Sequence, residues 1–142
     1  MDVKQKVNQL IKQYKTADPF MLAKFKNITV IYADLGGKLG NYLKYRRSKF
    51  IIIDTLRTPT NMISFICAHE LGHAICTPDD NIEWIKAYTL ETNADKIECV
   101  ANQFAVELLL NDSYIFINKE CDIFQLATLK GVPLNMINLK KF

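Results

Sequence analysis

The sequence predicts an α+β fold in which a small antiparallel three-stranded sheet packs against helices, and three observations carry that expectation. β-Branched and aromatic residues cluster in short runs between residues 28 and 54. Apolar residues recur at helical spacing before and after that region, and an apolar, helix-forming run from Ser64 to Cys76 follows the strands. The 142 residues suffice for one domain, since a chain of this length buries about two-thirds of its unfolded surface. That domain is expected to divide into N-terminal helices (1–27), the sheet (28–54), a pair of helices (58–110) and a C-terminal helical element (111–142).

Hydrophobic residues at 49% and charged residues at 23% match a soluble globular protein and argue against disorder. Met1 to Tyr14 mixes lysines with spaced aliphatics, unlike a signal peptide, and no run reaches the roughly 18 apolar residues of a membrane span. Cys67, Cys76, Cys99 and Cys121 form no Cys-x-x-Cys pair, so reduced thiols and a cytoplasmic location are expected. Residues 1–57 hold twelve Lys and Arg against four Asp and Glu, whereas residues 58–142 hold six against eleven. Such a split can steer a charged partner, although the lysines are dispersed as on an ordinary solvated surface.

Val3, Val7, Leu10, Ile11 and Tyr14 mark an amphipathic helix over residues 3–15, and Asp18-Pro19 supplies the cap and first-turn proline of a second through Phe25. Ile28 to Tyr32 reads as a strand, followed by a Gly36-Gly37 turn, a strand over residues 39–45, a turn at Arg46-Arg47-Ser48 and a strand from Phe50 to Ile53. The simplest topology is a meander, and the apolar run in the last strand implies burial on both faces. Thr58-Pro59 should start the next helix, and Thr77-Pro78-Asp79-Asp80-Asn81 should end it. A connection with Trp84 and Tyr88 leads to a long helix over 93–110, whose Ala94, Ile97, Ala101, Phe104, Ala105, Leu108 and Leu109 form a broad apolar face. Ala101 and Ala105 are small enough to admit a close helix neighbour.

The run from Ser64 to Cys76 contains His69, Glu70 and His73 in the spacing His-Glu-x-x-His, and the chain's only two histidines both fall inside it. Residues four apart share a helix face, so both imidazoles can converge on one metal ion with Glu70 beside it as a general base. Zinc in such a site acidifies a water to a pKa of about 7 and polarises a carbonyl, the chemistry of amide hydrolysis. The competing reading is a buried helix with two satisfied histidines. Gly72 favours the metal, because a glycine costs about 1 kcal/mol inside a helix and marks close backbone approach.

A catalytic zinc takes three protein ligands, and no third histidine exists. Glu98 is the best candidate, one turn before Ala101 on the close-packing face, where a buried glutamate needs a partner. Glu91 and Asp95 lie near the same stripe and stay open as alternatives, as does Cys76, a turn beyond His73. Asn102 is placed to reach a histidine and set its tautomer, or else is a plain exposed amide.

Three segments, Ala68-His-Glu-Leu-Gly-His-Ala74, Glu98-Cys-Val-Ala-Asn-Gln-Phe-Ala-Val-Glu-Leu-Leu-Leu110 and Gly131-Val-Pro133, resemble the ImmA/IrrE-type metallopeptidases of bacteria, prophages and conjugative elements. The resemblance covers most of the chain from Ile28 onward, and its second block is the more specific one, since His-Glu-x-x-His occurs in many unrelated folds. It implies a zincin-like cytoplasmic endopeptidase holding one zinc through His69, His73 and Glu98, with Glu70 as general base and a DNA-binding helix-turn-helix repressor as protein substrate. Two departures stand out: Cys76-Thr77 replaces the common Leu-His, and Asn111 replaces a frequent proline. Neither changes a proposed ligand, so they bear on local shape.

Two readings of other classes compete. Residues 126–139 look like a helix-turn-helix, but the second helix would open with Pro133-Leu134 rather than with base-reading side chains, so a packed C-terminal element without direct nucleic-acid binding is expected. A zinc-containing protein that disables a repressor by binding alone is the other, and Glu70 argues against it because a structural site gains nothing from a base.

Overall fold

The computed structural model describes residues 1–80 and 91–142, and the side chains of these apart from 91–93. The connection with Trp84 and Tyr88, and the end of the expected stop signal at Asn81, lie outside the described residues.

Helix α1 (Val3–Tyr14) begins where the Asp2 carboxylate accepts from the Gln5 N–H, and it buries Val3, Val7 and Leu10. Helix α2 (Pro19–Phe25) starts as expected, with Asp18 accepting from the Phe20 N–H and proline in the first turn, and it buries Leu22 and Ala23. The strands are β1 (Ile28–Tyr32), β2 (Gly40–Tyr45) and β3 (Ser48–Ile53).

The α+β class holds, but the sheet is mixed and not the antiparallel meander expected. The order is β1-β3-β2, with β1 parallel and β2 antiparallel to β3. Gly36 and Gly37 do turn the chain at positive φ, yet inside a segment of residues 33–39 that crosses the end of β3 instead of joining neighbouring strands. Asp54 holds this crossing. Its backbone N–H donates to the Leu39 carbonyl at 2.9 Å, and its fully buried carboxylate accepts from the N–H groups of Leu35, Leu56 and Arg57. The Arg57 guanidinium donates to both Asp34 and Asp54. These donors, the Leu35 N–H foremost, hold the Asp54 carboxyl below its usual range. The tight hairpin is the one joining β2 to β3, where Arg46 takes a positive φ.

Ile51 and Ile53 are fully buried against the helices, but Phe50 and Ile52 are only half-buried, so the expected burial of both faces of β3 is not met. Thr58 is not the cap of the following helix either. Pro59 leads into a 3₁₀ turn (Thr60–Met62), and the Thr58 hydroxyl is buried with no hydrogen-bond partner among the described residues. Helix α3 (Ile63–Cys76) then runs through the centre of the fold, touching α2, β2, β3 and the long helix α4 (Glu91–Leu109), against which α1 also packs. Cys67 and Cys76 are buried on α3, and burial pushes their thiols up to about 12 and about 11. No helix of the described residues is long and apolar enough to cross a membrane.

Asn111 caps α5 (Asp112–Ile117) by accepting from the Tyr114 N–H. A capping box of Asp122 and Gln125 opens α6 (Ile123–Lys130). The segment expected to pack, and competing as the second helix of a helix-turn-helix, is a 3₁₀ helix (Leu134–Leu139) lying on α4. Lys140 fastens it: its buried ammonium donates to Glu107 and Asp112 at 2.8 Å each, and the Lys141 N–H donates to the other Glu107 oxygen. Removing one partner of such a buried pair leaves a charge without compensation. Lys140→Met should therefore cost about 3–5 kcal/mol, read as a fall in the urea midpoint at unchanged m-value.

Candidate metal centre

The site sits where α3, α4 and the start of β2 meet. Gly72 lets the two helices close: a Cβ there would stand 3.0 Å from the Phe104 Cβ and 3.1 Å from the Ala101 Cα and carbonyl oxygen. The glycine in the motif and the alanine opposite thus set the separation across which side chains of the two helices meet.

On α3, the rings of His69 and His73 lie 4.9 Å apart and almost perpendicular. From α4, Glu98 brings one carboxylate oxygen to 2.7 Å from the His73 Nε2 and the other to 3.5 Å from the His69 Nε2. Asn102, one turn further, accepts from the His69 Nδ1 through Oδ1 at 2.7 Å. An amide oxygen can only accept, so Nδ1 carries a proton toward Asn102 and Nε2 is the ring nitrogen that faces Glu98. Asn102 is thus a histidine-orienting residue in this structure and not an exposed amide.

Glu70 lies on the same side, with Oε2 3.8 Å from the His69 Nε2, and the ligand atoms offered by His69, Glu70 and His73 fall within 4.8 Å of one another. The two carboxylates are driven in opposite directions. Burial pushes the Glu70 carboxyl above its usual range, whereas hydrogen bonds from His69 and His73 hold that of Glu98 far below it. The His69 ring is drawn upward by Glu98 and Glu70 against the opposing and larger single effect of burial.

Of the alternatives to Glu98, Asp95 is exposed, and the side chain of Glu91 lies outside the described residues. Cys76 is buried, absent from the cleft lining, and has a thiol that burial keeps protonated. Two imidazoles and one ionised carboxylate are a donor set that suits zinc, and a cleft of about 420 Å³ opens over them.

The opposite wall of that cleft is residues 38–43, which sequence reasoning did not assign to the site. Gly40 is the residue missed. A Cβ there would stand 2.6 Å from Ile66 Cγ2 and 3.1 Å from both Cγ and Oε2 of Glu70, so the bare backbone of β2 backs the Glu70 carboxyl. Its signal was a glycine inside a strand, which marks close approach. The Tyr42 hydroxyl donates to the Pro78 carbonyl at 2.8 Å and ties β2 to the chain leaving α3.

Comparison with known proteins finds a family and a relative. The family model described as the IrrE N-terminal-like domain, Peptidase_M78, matches residues 23–140. A protein of Bacillus phage phi105 named "Uncharacterized immunity region protein 2" is 40% identical over 141 residues, covering 97% of this chain and 88% of its own. No solved structure matches the chain significantly.

Two variants separate the contacts. Asn102→Ala should weaken zinc binding by about 10- to 100-fold with the fold retained, measured by competition with a chromophoric chelator. Gly40→Ala should keep the metal and displace Glu70, so that hydrolysis falls while zinc content, read by elemental analysis, stays at the wild-type level.

Proposed function

Since the chain belongs to the IrrE N-terminal-like peptidase family, we propose that it is a zinc-dependent endopeptidase that cuts a partner protein. The observation that carries this reading is the convergence of His69, His73 and Glu98 from two helices, with a separate buried carboxylate, Glu70, beside them. His69, His73 and Glu98 would hold the ion. When bound there, zinc supplies a Lewis acid that polarises the scissile carbonyl and acidifies water.

The residues of the chain do the rest. Asn102 keeps the His69 Nε2 aimed at the site. Glu70 is the proton carrier, taking a proton from water at its carboxylate and returning it to the departing amine, a task for which a carboxyl raised by burial is suited. Among the described residues strand β2 pairs only with β3 and presents its other edge beside the cleft, where an extended substrate can add as a further strand.

The relative's name places that protein in a phage immunity region. This supports the reading that the substrate here is a helix-turn-helix repressor governing a prophage or conjugative element, met in the cytoplasm. The basic corner of Arg46, Arg47 and Lys49 would help attract an acidic segment of it.

Glu98→Ala should lose the zinc that the wild type holds at one ion per chain, and full occupancy in that variant would move the third ligand elsewhere. Glu70→Gln should keep the zinc and lose about 10²- to 10⁴-fold in rate. Co-expression with the neighbouring repressor, scored by intact mass, should give a clipped repressor with the wild type and an intact one with Glu70→Gln. An intact repressor in both cultures, with its DNA binding nonetheless lost, would establish inactivation by binding alone.

A further inference from the structure

One face of the sheet has no described element against it. Register and alternation place Ile31, Leu43, Tyr45, Phe50 and Ile52 together on the side opposite the buried Ile51 and Ile53, with Ile31 beside Ile52 and Leu43 beside Phe50. Ile31 and Leu43 are each 40% exposed and Tyr45 62%; Thr29, Asn41 and Ser48 share the face, none of its strand residues is charged, and the Lys38 ammonium reaches it at Asn41 Oδ1, 3.1 Å away. A sheet face turned to water ordinarily alternates to polar residues, so an uncharged, largely apolar one marks an interaction surface.

The surroundings point to the occupant. The pairing of Ile28 with Lys49 puts the start of β1 and the β2–β3 hairpin at the same end of the sheet. Lys26, Arg46 and Arg47 are exposed at that end, and the contacts of Lys26 and Arg46 are with the rings of Tyr14 and Tyr45, not with carboxylates. At the other end Asp34 and Asp54 are both satisfied by Arg57. Three strands about 4.8 Å apart and about five residues long span roughly 240 Å², against about 800 Å² per partner in a stable dimer. The area suits one short segment and not a second copy, and the exposed Lys26, Arg46 and Arg47 at the hairpin end suit a peptide that is acidic at one end.

We propose that this open face docks an apolar segment of the partner protein that carries acidic residues at one end, apart from the bond to be cut. The proposal rests on the reading of the protein as a peptidase acting on a partner protein. Leu43 belongs both to this face and to the cleft lining, so one chain can wrap the β2 edge from dock to metal site.

The test uses zinc-loaded Glu70→Gln protein and two synthetic peptides of roughly 12 residues, alternating Leu and Ser and ending in three acidic or three basic residues. The acidic peptide should shift the amide resonances of Ile31, Phe50 and Ile52 and bind about tenfold tighter than the basic one. Adding Arg46→Glu and Arg47→Glu should reverse that preference. Adding Ile31→Thr and Ile52→Thr should weaken the acidic peptide about tenfold at unchanged melting temperature. With Glu70 restored, the threonine pair should slow cleavage of the intact repressor about tenfold and leave cleavage of a short unstructured peptide spanning the same bond unchanged. Shifts confined to the cleft, no charge preference, a wild-type dimer dissolved by the threonine pair, or binding of the face to phosphatidylserine vesicles alone would each overturn the proposal. A repressor left intact by the wild type would instead remove the peptidase reading, while the peptide titration still decides whether the face binds.

Discussion

The close approach of α3 and α4 at Gly72 is the constraint on which the rest of the structure depends. Glu98 reaches 2.7 Å from His73, and Asn102 the same distance from His69, only because no side chain separates the helices where Gly72 faces Ala101. Burial of polar groups would otherwise be unfavourable, and here each buried imidazole is answered by a group from the facing helix. The contact therefore stabilises the core and assembles the donor set at once.

That arrangement gives two glutamates of one fold opposite characters. Glu70 is enclosed by α3 and the backbone at Gly40, so burial favours its neutral form, while Glu98 lies half-open between two imidazoles that favour its charge. A carboxyl raised in this way suits proton transfer, and one held ionised suits a cation. Further along α4, Glu107 binds Lys140 and so anchors the chain's last segment to the helix that carries Glu98. The same helix is thus held at one face by α3 and at another by a buried ion pair.

The sheet contributes an edge and a face. Because the segment of residues 33–39 crosses the end of β3 around Asp54, β2 becomes an outer strand of the described sheet, and the side that pairs with no described strand lies along the cleft. In a meander β2 would lie in the middle, with no free edge to offer an extended chain. The crossing also leaves β3 central, with Ile51 and Ile53 on the helices and Phe50 and Ile52 turned outward.

Much of this was legible in the order of residues, because it depends on local periodicity and chemistry. The Asp18 cap, the helical stripe of α1, three strands between 28 and 54, and two histidines one turn apart all follow from spacing within a few turns of chain. Glu98 and Asn102 were legible for a related reason: a polar residue on the small, close-packing face of α4 needs a partner, and α3 offered histidines. What only the tertiary structure decided were pairings between distant segments. Gly36-Gly37 has the chemistry of a hairpin turn, and nothing local says that the chain there passes over a strand not yet formed, held by an aspartate some twenty residues on. Gly40 reads as the start of a strand until Glu70 lies against it, and Phe50 and Ile52 read as core because composition records apolarity but not which side the helices cover. Periodicity is a property of one segment, whereas register, strand order and the neighbour of a bare backbone belong to two, and those are chosen by the packing of the whole.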